Sequence, residues 1–299
     1  MKKWFLSVVL ILLSALAVAN DIELVPATDD HPETLAAIQH FASSSDWLVK
    51  THVREGEAPG ALISVELDIP SPFHGGRFLS NSVLPEMPHG SIYRFKYLDI
   101  DRHFDLDVPF HYVEIDWNTE GLPRGPNGAF INPHFDFHFY TRPRDYVQRD
   151  MQCVTVGKTC DGRETGYPQM RRFLNLPPSS YFPANYFPDA GSSIAQMGLH
   201  NLDGDFQYSI EHVNHSPVII YGSFDGQIVF LEASVTLFAF QDAMLAAERN
   251  EELRWEVPQP THYAYAWWPN TMSLKYDSDR EVFSFALTDF QARQVTPLK

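Results

Sequence analysis

Residues 133–140, with the sequence PHFDFHFY, combine metal-ligand side chains with a strand-like pattern. Successive side chains of a β-strand point to opposite faces, so His134, Asp136 and His138 share one face and three phenylalanines share the other. Imidazole and carboxylate groups are ordinary ligands of zinc and other first-row divalent ions. The segment therefore predicts a strand with an apolar core face and a metal-binding face. The alternative is a polar strand face held by a hydrogen bond between His and Asp.

The geometry of a strand restricts which of these residues can share one ion. On a regular strand the Cα atoms of His134 and His138 lie about 13 Å apart. A single ion therefore reaches both only if a bulge intervenes, and the natural pairs are Asp136 with His138 or His134 with Asp136. The remaining histidine would then support a ligand or face the entrance of the site.

Two further ligand-type residues follow later in the chain. His200 comes directly after Met-Gly-Leu, and this glycine permits an irregular backbone beside the histidine. Glu232 ends an apolar run before a predicted helix, where a carboxylate is either a buried functional group or a partner of the helix dipole. Asp136, His138, His200 and Glu232 form a ligand set if the fold brings them together. Asp116, near the end of another predicted strand, would support these ligands.

The sequence lacks the standard catalytic signatures. It contains no G-x-S-x-G elbow, P-loop, G-x-G-x-x-G or H-E-x-x-H motif, which argues against serine hydrolases, nucleotide-binding enzymes and zincins. The 38 acidic and 22 basic residues give a formal net charge of −16, which argues against a nucleic-acid partner or an anionic lipid surface. Metal ions, neutral or cationic small molecules and other proteins stay compatible with this composition.

The first 19 residues have the organisation of a signal peptide. Lys2 and Lys3 precede a short apolar run, and the small residues up to Ala19 form an A-x-A cleavage pattern. We therefore expect a secreted or periplasmic chain after cleavage, with no membrane insertion of the mature chain. In an oxidising compartment we expect Cys153 and Cys160 to form a disulfide bond.

The elements that would position the ligand residues are mainly strands. The β-rich segments are residues 61–69, 91–98, 110–117, 130–140, 218–223, 227–231, 263–268, 272–276 and 282–287. Helical spacing predicts a short helix over residues 32–42 and a longer one over residues 235–254, with Ser234 as its cap. Residues 174–189 contain four prolines, which predicts a long ordered loop.

Strands that recur as hairpins define the expected fold class. The turn at Asp225 and Gly226 predicts one such hairpin. We expect a mainly antiparallel β-sandwich or barrel-like fold with one or two added helices. The predicted organisation has three parts. Residues 1–19 are a signal peptide, residues 20–54 are an N-terminal extension that contains the short helix, and residues 55–299 are a single mainly β domain.

Several motifs resemble a family of secreted bacterial proteins of unknown function, one of which is a structurally characterised Thermus protein controlled by an extracytoplasmic stress sigma factor. The similar motifs are HFDFHFY at 134–140, MGLH at 197–200, Tyr221-Gly222, Asp225-Gly226, FLE at 230–232, Trp268-Pro269 and ALTDF at 286–290. The resemblance covers about residues 55–292 and implies a shared site of His134, Asp136, His138, His200 and Glu232. It implies no activity. The family tends to have Gly-His-Pro where this chain has Gly121-Leu122-Pro123, so a ligand is lost here if that histidine serves the site.

Three functional hypotheses follow from the sequence. The first is a secreted protein with a His/carboxylate divalent-metal site, zinc above others, that acts as a metal-dependent hydrolase or lyase on a small molecule. The second is a non-catalytic, oligomeric, stress-related envelope protein whose His/Asp strand is structural. The third is a binder of an aromatic or apolar small molecule. The stacking surfaces for this third hypothesis are Tyr181, Phe182, Tyr186, Phe187, Trp267 and Trp268.

Overall fold

The computed structural model describes residues 48–54, 61–74, 77–78, 93–100, 109–118, 126–152 and 168–296. The chain divides into two compact units, a larger one of Asp46–Ile69 and Gly90–Lys299 and a smaller one of Met1–Ser45 and Pro70–His89. The functional residues discussed below all belong to the larger unit. The described part of the smaller unit contains a two-stranded hairpin, Phe73–His74 with Arg77–Phe78.

Fourteen strands and four α-helices occur in the described part of the chain. The strands are β1 (Leu48–Arg54), β2 (Ala61–Pro70), β3 (Phe73–His74), β4 (Arg77–Phe78), β5 (Tyr93–Asp99), β6 (Tyr112–Asn118), β7 (His134–Tyr140), β8 (Tyr186–Ile194), β9 (Gly198–Asp203), β10 (Val218–Phe224), β11 (Gln227–Thr236), β12 (Leu253–Glu256), β13 (Trp267–Asp277) and β14 (Val282–Ala292). The helices are α1 (Arg144–Asp150), α2 (Pro168–Leu174), α3 (Ile210–His215) and α4 (Leu237–Ala247).

The larger unit is built on two antiparallel sheets. Seven strands form one sheet in the order β5-β6-β7-β11-β10-β9-β8, and five form the other in the order β1-β2-β14-β13-β12. The prediction of a mainly antiparallel β fold with added helices is therefore confirmed. Strand β1 pairs with β2, so residues 48–54, which the sequence analysis assigned to an N-terminal extension, are part of the five-stranded sheet.

Aromatic side chains join the two sheets. Phe137 of β7 stacks on Phe285 of β14, with the ring centroids 4.7 Å apart. Phe135, on the same face of β7, packs on Phe240 of α4, which in turn contacts Phe283 of β14. Strand β7 therefore has the predicted apolar face. Because that face is committed to the core, the histidine face must point away from the second sheet.

A second apolar core lies on the histidine side of the seven-stranded sheet. Val147 and Met151, in and just after α1, and Phe173 of α2 are fully buried there together with Tyr140 and Phe230 of the sheet. These residues exclude water from that side of the sheet. Polar groups between them and the strands consequently lie in an environment where an unpaired charge is costly.

The helix predicted over residues 235–254 is shorter than expected. Helix α4 spans only Leu237–Ala247, and β11 continues through Ser234 to Thr236. These positions pair with β7, and the Ser234 hydroxyl donates to Asp136 instead of capping the helix. Glu232 is therefore a mid-strand residue, and its interpretation as a helix-dipole partner is wrong. Residues 253–256 form β12 rather than the end of the helix.

Other local predictions have mixed outcomes. The hairpin turn is confirmed, with φ of 49° at Asp225 and 76° at Gly226 between β10 and β11. The predicted loop over residues 174–189 ends earlier, because β8 begins at Tyr186 and pairs with β9. The signal peptide, the helix over residues 32–42, residues 121–123 and both Cys153 and Cys160 lie outside the described residues, so those predictions stay predictions.

Candidate metal centre

Three neighbouring strands place polar side chains at matching positions on one face of the large sheet. The register pairs Glu114, Asp116 and Asn118 of β6 with β7, and β7 with Glu232, Ser234 and Thr236 of β11. We call the nine residues on this face the polar face: Glu114, Asp116, Asn118, His134, Asp136, His138, Glu232, Ser234 and Thr236. Each of them is at most 4% exposed. Four of the nine carry carboxyl groups, which is an unusual set to bury together.

His138, Glu232 and His200 come together at one edge of the polar face. His138 lies directly opposite Glu232 in the register of β7 and β11. His200 of β9 is two strands from Glu232, and its register partner on the intervening strand is Gly222 of β10, which lies opposite Phe230 of β11. One ligand atom from each of the three buried residues lies within 4.8 Å of the other two, so this group could hold a metal ion.

Phe230 closes the apolar side of this group. Its ring lies edge-on to the rings of His138 and His200, with centroid distances of 4.9 Å and 5.2 Å. The same ring lies over Gly222, where an added Cβ would overlap it. A side chain at position 222 would thus displace the aromatic ring that holds both imidazoles.

Two of the three separations between the donor atoms match those around a tetrahedral ion. Nε2 of His138 lies 3.2 Å from Oε2 of Glu232, and Nε2 of His200 lies 3.4 Å from the same oxygen. Ligands bound about 2.0–2.1 Å from zinc stand about 3.3–3.4 Å apart in a tetrahedron. Neither His138 Nε2 nor Glu232 Oε2 has a hydrogen-bond partner among the described residues, so both atoms are left for an ion.

The far nitrogens of both histidines are held by supporting groups. Nδ1 of His200 donates to the backbone carbonyl of Ser192 at 2.7 Å, which leaves its Nε2 as a lone-pair donor to a ligand. Nδ1 of His138 lies 3.2 Å from Oδ2 of Asp116. Metal-bound histidines usually have such a carbonyl or carboxylate behind them, since it fixes the ring and its tautomer. Asp116 therefore has the supporting position that the sequence analysis expected.

The Asp116→Asn substitution should lower metal affinity by about 10- to 100-fold, because it removes the charge behind His138. The matched control is Asp242→Asn, which alters a carboxylate that contacts His215 at 2.6 Å outside this group. Titration of both apo-proteins with Zn²⁺ against a competing chelator measures the effect. Equal affinities for the two variants would show that Asp116 does not support the ligand.

Charges within the group determine the protonation of its members. Burial by itself would lower the pKa of His138, but the carboxylates of Glu232 and Asp116 outweigh burial and raise the pKa well above its ordinary value. Burial would raise the pKa of Glu232, but His138 and His200 lower it to about 2. Burial lowers the pKa of His200, against the attraction of Glu232. Without metal, the group at neutral pH is thus an ionised Glu232, a protonated His138 and a neutral His200.

His134 and Asp136, the other two predicted ligands, lie outside this group. Asp136 accepts hydrogen bonds from Asn118 and Ser234. Burial, together with the charge of Glu232, raises the pKa of Asp136 well above its usual value. His134 instead contacts the backbone carbonyl of Asn132 through Nδ1. Its burial lowers its pKa.

Part of the polar face was not predicted from the sequence, namely Glu114, Asn118, Ser234 and Thr236. Residues 112–118 nevertheless alternate polar and apolar side chains in the same way as residues 134–140. A search for alternation in both segments would have found the β6 residues. No local signal identifies Gly222, because its importance comes from Phe230 and His200 on the two adjacent strands.

Three of the six aromatic residues proposed as a ligand surface form hydrogen bonds within the chain. The Tyr181 hydroxyl donates to the Thr296 carbonyl and the Tyr186 hydroxyl to the Ile219 carbonyl. Trp268 donates through its indole nitrogen to the Tyr221 hydroxyl. Tyr181, Phe182 and Trp268 are at most 7% exposed, whereas Phe187 is 41% exposed.

Comparisons with protein-family models, curated proteins and solved structures found no match. The resemblance to the secreted bacterial family therefore stays a prediction. No helix in the described part of the chain has the length and apolar character needed to cross a membrane. The functional assignment rests on the site itself.

Proposed function

We propose that this protein is a zinc-dependent hydrolase or lyase that acts on a small molecule. His138, His200 and Glu232 would hold the ion. The observation that carries this proposal is the convergence of three buried donor atoms within 4.8 Å of one another. Catalytic zinc sites commonly use two histidines and one carboxylate, which leaves a coordination position for water or substrate. A structural zinc site would normally supply a fourth protein ligand.

Charge balance supports a divalent cation in this position. The polar face buries four carboxyl groups and two histidines, and a third buried histidine, His200 of β9, lies beside it. A buried charge without a counter-charge is strongly destabilising, so several carboxylates on one face require cations or protons. A proton on Asp136 and a divalent ion beside Glu232 would together remove most of the excess negative charge.

The residues around the ion would have distinct roles. A zinc ion in this group would polarise a carbonyl or lower the pKa of a water molecule. His138, His200 and Glu232 would fix its position, while Asp116 and the Ser192 carbonyl would orient the two imidazoles. Phe230 would keep bulk water away from the ligand side. Iron(II) also binds to two histidines and one carboxylate, so metal analysis must include iron.

An activity screen tests the catalytic part of the proposal. The zinc-loaded protein is assayed with ester, amide and phosphodiester substrates and with substrates of β-elimination, and each hit is repeated after chelation and with Glu232→Gln. We expect turnover that falls by at least about 100-fold in both cases, since the chemistry depends on the bound ion. The control is His215→Ala, whose ring contacts Asp242 and is half exposed. Turnover that survives both chelation and Glu232→Gln would contradict the proposal.

A non-catalytic envelope role is the second candidate. It is favoured by the depth of the group, since His138 is 1% exposed and Glu232 3% exposed. In that role the histidines and carboxylates would only stabilise the fold. Light scattering tests the oligomeric form of this candidate, and a monomer at all concentrations would contradict that form.

The proposed function includes export of the protein from the cytoplasm. We infer cleavage after Ala19 and a disulfide bond between Cys153 and Cys160 in a secreted or periplasmic protein. Mass spectrometry of the protein recovered from the periplasm or medium would give a chain that starts at Asn20 and is two hydrogens lighter than the reduced form. A chain that retains residues 1–19 would contradict cleavage.

Metal binding should release a proton, which makes the apparent affinity depend on pH. The raised pKa of His138 keeps a proton on its ring in the metal-free protein, and the ligand nitrogen must lose it. His200, with a lowered pKa, contributes little. We expect about one proton released per ion at pH 7, so that zinc affinity rises about tenfold per pH unit up to the pKa of His138. Calorimetry in buffers of different ionisation enthalpy measures this number, and no release would contradict the His138 assignment.

A further inference from the structure

His134 is the buried polar group that the proposed metal site does not use. Its Nδ1 lies 2.8 Å from the backbone carbonyl of Asn132. A carbonyl oxygen only accepts hydrogen bonds, so Nδ1 must carry the hydrogen and Nε2 of the neutral ring is an acceptor. This Nε2 has no hydrogen-bond partner within the described residues, and His134 is only 1% exposed. An unpaired acceptor at this depth destabilises the fold and calls for a donor.

The neighbours of His134 on the polar face cannot supply that donor in good geometry. Oδ1 of Asp136 is 3.7 Å from Nε2 of His134, which is beyond hydrogen-bond distance. Asp136 is already bound by Asn118 and Ser234. On the other side the ring of Phe130 lies 5.8 Å from the imidazole and has no polar group to offer.

His134 is connected to the metal group through a short row of side chains. The Ser234 hydroxyl contacts Asp136 and lies 3.4 Å from Oε1 of Glu232, a predicted metal ligand. The orphaned nitrogen and the metal group therefore lie on the same buried face, separated by Asp136 and Ser234. A small molecule that contacted both the ion and His134 would have to lie along Asp136 and Ser234.

The unpaired atoms along this face indicate the chemistry of that molecule. Besides Nε2 of His134, Oδ1 of Asp116 lacks a hydrogen-bond partner among the described residues, and both atoms are acceptors. The polar face contains four carboxyl groups and no lysine or arginine. Acceptors attract O–H and N–H donors, and buried carboxylates repel an anion.

We propose that the substrate of this site is an uncharged or cationic molecule with hydroxyl or amino groups, and that Nε2 of His134 accepts a hydrogen bond from one of them. This inference rests on the proposed function, because the ion anchors the other end of the molecule. The inference excludes an anionic substrate that places a carboxylate or phosphate beside His134. A buried water molecule on His134 is the competing occupant.

Four hydroxamates test the inference, because they share one metal-chelating group and differ only at the end of a short tail. The tails end in a hydroxyl (3-hydroxypropanohydroxamate), an ammonium (3-aminopropanohydroxamate), a carboxylate (malonate monohydroxamate) or a methyl group (butanohydroxamate). The full chain is loaded with Co²⁺, and the visible absorption of the ion reports binding of each probe. We expect the hydroxyl and ammonium probes to bind about tenfold more tightly than the carboxylate probe.

The His134→Leu variant, similar in volume and without an acceptor, isolates the role of this residue. This variant should bind the hydroxyl and ammonium probes about five- to tenfold more weakly than the wild-type protein does, and its affinity for the methyl probe should be unchanged. The matched control is His215→Ala. If His134→Leu does not fold, the ranking of the four probes on the wild-type protein is itself the test. Preference for the carboxylate probe, or equal effects of His134→Leu on all probes, would overturn the inference. Failure of the wild-type protein to take up Co²⁺ would instead contradict the proposed function.

Discussion

Addition of Zn²⁺ to the metal-free protein should raise its free energy of unfolding by about 4 kcal/mol at a thousandfold excess over the dissociation constant. The reason is that His138, His200 and Glu232 come from three separate strands and meet only in the folded chain. For a chain of this size the gain corresponds to a rise in Tm of about 10 °C. Thermal unfolding followed by circular dichroism, with and without Zn²⁺, measures it.

Variants of the three ligands separate this effect from general zinc binding. His138→Ala, His200→Ala and Glu232→Gln should each lose most of the zinc-dependent rise in Tm. His215→Ala should retain it, because that histidine contacts Asp242 away from the group. If all four variants keep the same rise as the wild-type protein, zinc stabilises the fold through other residues and the ligand assignment is wrong.

The Gly222→Ala substitution should destabilise the fold by about 3 kcal/mol, the upper range for overpacking. A Cβ at this position overlaps the ring of Phe230, which contacts the rings of His138 and His200. Movement of that ring should also displace both imidazoles, so zinc affinity should fall together with stability. Urea unfolding and zinc titration of the same variant test the two effects.

Two further variants make this prediction specific. Gly191→Ala, in β8 of the same sheet, is the matched control because its Cβ would meet only Oδ1 of Asp189 at 3.4 Å. Adding Phe230→Leu to Gly222→Ala should recover part of the lost stability, since the smaller side chain makes room for the methyl group. A Gly222→Ala protein as stable as Gly191→Ala would show that Phe230 does not fill this space.

Local patterns predicted the strand that carries the site but not the complete site. The alternation of residues 134–140 correctly separates the phenylalanine face from the histidine face, because the side-chain period of a strand is a local property. The expected distance between His134 and His138 is likewise consistent with the place of His134 outside the metal group. The natural partner of His138 is nevertheless Glu232 across the sheet, not Asp136 along the strand.

The errors arise where strand pairing overrides local propensity. The sequence pattern predicted a helix from residue 235 with Ser234 as its cap. Pairing with β7 instead keeps residues 234–236 extended, so Glu232 lies in the middle of a strand. His200 joins the group from β9, and Gly222 of the intervening strand lies between it and Phe230 in the register. Such contacts depend on the order of strands in the sheet, which the spacing of residues in one sequence does not reveal.

Elemental analysis of the untagged protein tests the central claim most directly. The protein is purified without added metal or chelator and measured for zinc, iron, copper and manganese, beside His138→Ala and His215→Ala. We expect about one ion per chain, zinc above the others, in the wild-type protein and in His215→Ala, and loss of that ion in His138→Ala. No bound metal in the wild-type protein, even after reconstitution with Zn²⁺, would contradict the account and leave the polar face as buried packing.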